Sequence, residues 1–207
     1  MPRMGRIEAV EPRIERLWAM PQDVFISHSS QDGRMAAAVC AGLEASGLRC
    51  WMAPRDIAPG QAWGASIVHA LDTCPVVVLV LTAQANASRH VVREVERADG
   101  KLARIITLRV HDVALNPSLE YFLSADHWFD AVAPPLESHL PGLVQAVKRL
   151  LELPRQATPQ AAAGAAQRPA LNDRELVQAF DELAPDDWNR APASKLGRFF
   201  QGLFADR

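Results

Sequence analysis

Cysteine is scarce in this chain, and neither sign of charge dominates. The 207 residues include three cysteines, Cys40, Cys50 and Cys74, an odd number with no CxxC spacing. Neither a disulfide framework nor a zinc site is favoured. All three lie in apolar periodic segments, as inert buried side chains of a reducing compartment do. Lys and Arg number 22 against 24 Asp and Glu, for a formal net charge of -2. Without a basic surplus, nucleic acid is not an expected partner. The longest apolar run, Val76 to Leu81, is far short of the roughly 20 residues a membrane helix needs. Arg3, Arg6, Arg13 and Arg16 interleave with Glu8, Glu11 and Glu15 at the start, so no apolar signal region forms there. The expectation is a soluble, cytoplasmic protein without a membrane partner. The six histidines are scattered without ligand spacing, so no metal site is expected.

What is present divides the chain by composition. Residues 1–21 form a short amphipathic extension interrupted by Pro12, and residues 22–153 alternate apolar runs with helical periodicities. Residues 154–170 are rich in Ala, Pro and Gln and read as a linker. Residues 171–207 recover periodicity as an amphipathic helical tail, with one face from Leu176, Val177, Phe180 and Leu183 and a second from Leu196, Phe199, Phe200, Leu203 and Phe204. The tail is either folded back on its own domain or partly disordered, or it serves docking and self-association.

The central segment predicts strands at Asp23–Ile26, Leu48–Met52, Pro75–Leu81, Ile105–Val110 and Ala125–Phe129. Between them fall helices marked by Met35, Val39 and Leu43, by Trp63, Ile67 and Leu71, and by Val91, Val92 and Val95; a last helix spans Leu136 to Leu153. Strands alternating with helices predict an α/β fold with a parallel sheet covered on both faces. Ligands of such sheets bind beyond the carboxyl ends of the strands. Two common occupants are excluded: there is no GxxxxGK[ST] loop and no GxGxxG turn. A phosphoacceptor receiver needs an aspartate at the end of the third strand, where the sequence reads Val80-Leu81-Thr82-Ala83.

Asp23-Val-Phe-Ile-Ser-His-Ser-Ser-Gln-Asp32 and Gly47-Leu-Arg-Cys-Trp-Met-Ala-Pro-Arg-Asp-Ile-Ala-Pro-Gly60 resemble the first two signature boxes of the Toll/interleukin-1 receptor (TIR) domain. Val77–Thr82, Ser88–Ala98 and Leu119–Trp128 continue the resemblance in order. It is to the bacterial branch and covers about residues 22–153. The resemblance implies a flavodoxin-like, five-stranded parallel sheet and two alternative activities. One is an NAD+ nucleosidase, releasing nicotinamide and ADP-ribose or a cyclic or conjugated derivative, switched on by self-association in a bacterial defence or stress response. The other is a noncatalytic adaptor that docks on other TIR domains; a third possibility is that the chain supplies a nucleotide signal to a separate effector protein. NAD+ is then a substrate, and no cofactor is implied.

In the family's enzymes a glutamate on the helix after the third strand is essential, and Glu94, six residues after Ser88, matches it. A carboxylate there can hold the ribose hydroxyls and stabilise an oxocarbenium-like centre as nicotinamide departs. The resemblance adds Trp51 as a platform for nicotinamide, Ser29 in the loop after the first strand, and Arg55 as a phosphate donor. His90 stands where bacterial enzymes often have tryptophan, a departure that favours the adaptor. Each candidate also has a plainer role. Glu94 sits in Arg93-Glu-Val-Glu-Arg97, whose alternating charges ordinarily mark a solvated helix face. Glu96 points about 200° away around that helix. Trp51 suits a core, Arg55 can pair with Asp56, and His28 suits a polar loop or a packed position.

Overall fold

The computed structural model describes residues 22–123 and 127–153, together with residues 174, 175 and 178. Five parallel strands form one sheet: β1 (Val24–Ser27), β2 (Cys50–Trp51), β3 (Val76–Leu81), β4 (Arg104–Arg109) and β5 (His127–Asp130), in the order β2-β1-β3-β4-β5. The α-helices are α1 (Gly33–Glu44), α2 (Trp63–Thr73), α3 (Ala83–Ala87), α4 (Arg89–Gly100), α5 (Pro117–Leu123) and α6 (Leu140–Glu152). The expected five-stranded parallel sheet with helices on both faces is the observed architecture.

β3 explains why the sheet needs two covers. Its side chains are all buried, and they alternate. Val76, Val78 and Val80 face a core with Val39 and Leu43 of α1 and Leu143 and Val147 of α6. Val77, Leu79 and Leu81 face the other core, with Ile67 and Leu71 of α2 and Val91 and Val95 of α4. A strand buried on both faces must be apolar at every position, hence the continuous valine-rich run.

Differences from the sequence expectation lie at short elements. β2 is two residues long because the Met52 N–H is taken by the Asp56 carboxylate at 2.9 Å, which ends the ladder. Two short helices, α3 and α5, were not expected. Thr82 caps α3, its Oγ1 accepting from the Ala85 N–H at 2.9 Å. Asn116 Oδ1 accepts from the N–H groups of Ser118 at 3.0 Å and Leu119 at 2.9 Å, starting α5. A 3-10 turn, Leu136–His139, precedes α6 where one helix was expected. Gly47, at φ +84°, stops the chain after α1 in a conformation that L side chains avoid. The 1–21 extension, the 154–170 linker and nearly all of the 171–207 tail lie outside the described residues, as do Ala125 and Asp126 of the expected fifth strand. Among the described residues no helix is long and apolar enough to cross a membrane.

Candidate active site

The strand order reverses direction at β1: its neighbours are β2 on one side and β3 on the other. A crevice at the carboxyl ends of β1 and β3 follows from that topology. The loops that leave these two strands are tied together there. Thr82 Oγ1, just past β3, donates to Asp32 Oδ2 at 2.5 Å while capping α3.

The second helix after β3, α4, supplies the central group. Ser88 caps α4, its Oγ accepting from the Val91 N–H at 3.4 Å. Val91, Val95 and Ala98 then form the buried stripe of α4, and Glu94 lies on the same stripe, three residues beyond Val91. Glu94 is therefore buried, at 6% exposure, and the solvated-face expectation does not hold for it. Glu96 is half-buried and lines a separate, open cleft with Arg89 and Asn116. At the end of β1, Ser27 is wholly buried and its Oγ donates to Glu94 Oε2 at 2.6 Å. Burial pushes the Glu94 carboxyl up to about 8, against the Ser27 hydrogen bond, which favours the carboxylate. Arg97, one turn on, anchors α4 to α2 through Asp72, at 2.8 Å from Nε and 2.7 Å from Nη2.

Glu94 lines a small cavity of about 40 Å³ that opens to solvent. Phe25, Ile26, Ala53, Trp63 and Ile67 give it apolar walls. His28, Ser30, Ser88 and His90 join Glu94 as its polar lining. His28 is buried and held through Nδ1, 3.3 Å from the Ile26 carbonyl. Burial lowers its pKa, while the Ile26 carbonyl and Asp32 act in the opposite direction. A protonatable acid and a neutral imidazole thus share one enclosed, mostly apolar space, and such opposed shifts are a mark of acid-base sites.

The other candidates do not line this cavity. Trp51 is 4% exposed and stacks on Phe25, with ring centroids 5.0 Å apart and planes 16° from parallel. Phe25 is a wall of the cavity, so Trp51 backs that wall. Ser29 caps the turn Ser30–Asp32, its Oγ accepting from the Gln31 N–H at 3.3 Å. Arg55 is the hub of the loop after β2. Its guanidinium donates to Asp56 Oδ2 at 2.8 Å, to the Cys50 carbonyl at 2.9 Å, to Glu44 Oε2 at 3.1 Å and to Cys40 Sγ at 3.1 Å. Ser27, His28 and Trp63 were not among the expected site residues. The signal for Ser27 was a serine ending an otherwise apolar strand; nothing local to the sequence distinguished Trp63 from a core position.

Among the described residues one group brings metal-ligating atoms together: those of Cys40, Glu44 and Cys50, within 4.8 Å of one another. Arg55 already supplies a cation to Cys40 and Glu44. The Cys50 thiol is pushed up by its hydrogen bond with Cys40 and by burial, so it holds its proton. Replacing Arg55 by alanine strips Glu44 and Asp56 of their common partner and is expected to cost about 2 kcal/mol, roughly one charge-assisted hydrogen bond. Urea unfolding checks this. Lysine, which lacks the planar fork, should recover only part of the loss.

The TIR domain family model matches residues 24–140, over half of the chain and all of the site just described. The chain belongs to the TIR domain family. A solved structure with the same fold is the TIR domain of the Toll-related receptor TRR-2 from Hydra magnipapillata. It is 16% identical, covers 61% of this chain and 98% of its own, and has a TM-score of 0.53. Weaker likenesses are the TIR-STING receptor of C. gigas and the TIR domains of the activated Roq1 resistosome. The first is 19% identical, with 65% of this chain and 42% of that one covered and a TM-score of 0.42. The second is 12% identical, with 88% and 99% covered and a TM-score of 0.40. No curated protein matches the chain. At these identities the solved structures speak to the fold of this TIR domain alone.

Proposed function

We propose that this TIR domain is an NAD+ nucleosidase whose chemistry is carried by Glu94. The observation that supports the reading is the buried Ser27–Glu94 pair, opening on an apolar-walled cavity at the carboxyl ends of the strands. The bond between nicotinamide and ribose C1′ breaks, its electron pair leaves with the ring nitrogen, and the pyridinium becomes neutral nicotinamide. The positive charge passes to the ribose as an oxocarbenium-like centre. A carboxylate at Glu94 faces that charge and accepts hydrogen bonds from the ribose diol. Water then adds at C1′ and releases a proton, giving ADP-ribose; attack by a nucleophile of the same molecule gives a cyclic product instead. No electron transfer is involved. NAD+ is thus substrate, and self-association between TIR domains is the proposed switch for a signalling role.

One residue supports the alternative of a noncatalytic adaptor: His90 lines the cavity at the position where the family's bacterial enzymes often carry tryptophan. Purified protein incubated with NAD+ at high concentration separates the two readings. The nucleosidase releases nicotinamide, and mass spectrometry of the second product distinguishes hydrolysis from cyclisation. Absence of turnover in demonstrably oligomeric protein leaves the adaptor.

A further inference from the structure

We infer that His28 is a specificity residue whose Nε2 accepts a hydrogen bond from the carboxamide of the bound pyridine ring. The inference rests on the nucleosidase reading for the identity of the ligand, but the unpaired acceptor that motivates it is independent of that reading.

The tautomer follows from a single contact. Nδ1 lies 3.3 Å from the Ile26 carbonyl, an oxygen that can only accept. Nδ1 therefore carries the proton, and Nε2 presents a lone pair. That nitrogen is buried and has no hydrogen-bond partner among the described residues. The whole residue is 8% exposed and is one of those that line the same cavity as Glu94. Buried polar atoms are almost always paired, so an orphan acceptor in a residue that lines a cavity is a place for a ligand's donor. Burial in apolar surroundings also disfavours the charged imidazolium, which keeps Nε2 an acceptor at neutral pH.

The acceptors around the cavity include Glu94 and His28, between walls that include Phe25, Trp63 and Ile67. A fitting ligand has a flat apolar body and hydrogen-bond donors at separate points. In NAD+ the ribose diol satisfies a carboxylate beside C1′. The nearest remaining donor is the NH2 of the nicotinamide carboxamide, carried by the flat ring. A ligand in which that NH2 is replaced by a methyl group keeps the shape and loses the donor. A site built around an unpaired acceptor rejects such an analogue.

The experiment compares NAD+ with its 3-acetylpyridine analogue, in the full chain, as a ratio of kcat/KM values. The ratio cancels any general loss of activity. It is expected to fall about tenfold on His28→Phe, which keeps a planar ring without an acceptor, and to recover in part on His28→Gln. An unchanged ratio in an active Phe variant overturns the inference while leaving the nucleosidase standing. A protein that cleaves no NAD+ overturns the nucleosidase, and the acceptor is then tested by the His28 imidazole proton resonances during titration with nicotinamide and with 3-acetylpyridine. Shifts at about tenfold lower nicotinamide than acetylpyridine uphold the acceptor; equal responses, or none, overturn it. If the Phe variant does not fold, the same titration of the wild-type chain decides.

Discussion

Glu94→Gln is expected to slow NAD+ loss by about 10²–10³-fold, the range seen when one preorganised electrostatic group is removed from a transition state. The replacement is close to isosteric, and Ser27 Oγ can still donate to the amide oxygen as it does to Glu94 Oε2. The fold should therefore survive, and circular dichroism should superimpose on the wild type. What glutamine cannot supply is negative charge opposite the developing cation. The same argument fixes a pH dependence. In the free protein the carboxyl holds its proton up to about 8, so the reactive carboxylate is the minor form at pH 7. Log kcat/KM should climb with a slope near one toward that pH and then level off. The limb belongs to Glu94 if it vanishes in the residual activity of the glutamine variant. His28 shares the cavity, and a limb that persists would belong to a group other than Glu94. Equal rates in wild type and variant remove Glu94 from the mechanism.

The acid at the centre of this site, Glu94, was legible in the sequence, while Ser27, His28 and Trp63 were not. The alternating charges of Arg93-Glu-Val-Glu-Arg97 imply a wet helix face, yet the decisive pattern is the stripe Val91, Glu94, Val95, Ala98. A carboxylate at an i+3 position of an apolar stripe is a buried acid, and its cost points to use. The sheet was legible for a related reason, since β3 must be apolar throughout to serve two cores. The extent of β2 was not legible. Whether Met52 extends the ladder depends on Asp56 reaching back across a turn for its N–H, a contact that no period records. α3, of five residues, is too short for a helical period to declare itself. Ser27 and His28 are neighbours in sequence, and both meet the site only because β1 ends between them. Arg55 carries a family-derived expectation of phosphate contact; its guanidinium is engaged by Glu44, Asp56, Cys40 and the Cys50 carbonyl, and its position outside the cavity lining follows from that network.

The second large effect is on stability, and it runs opposite to the effect on activity. Folded Glu94 keeps its proton to about 8, whereas the ordinary value of the group is 4.5. Between these limits the folded state binds the proton and the unfolded chain has lost it. Raising the pH therefore favours unfolding, by up to about 1.4 kcal/mol for each unit crossed. Below about 4.5 both states are protonated and the penalty is absent; above about 8 it is fully developed. Glutamine cannot ionise, so Glu94→Gln should match the wild type near pH 4 and become progressively more stable than it up to pH 8 or 9. Other groups titrate across this window with different signs. His28, lowered by burial, gives stability that grows as pH rises toward its ordinary value, and Asp56, raised mainly by burial, loses it in the same manner as Glu94. These contributions are common to both proteins and cancel in the difference between their unfolding curves. Thermal or urea unfolding of the pair at pH 4, 6 and 8 is sufficient. A stability difference that fails to widen with pH would mean that Glu94 is ionised in the folded state, with its charge met by solvent or by an unrecognised partner. A widening difference would mean that the chain sustains a buried acid at a cost to its own stability, and the loss of activity in the same variant would say what that acid is for.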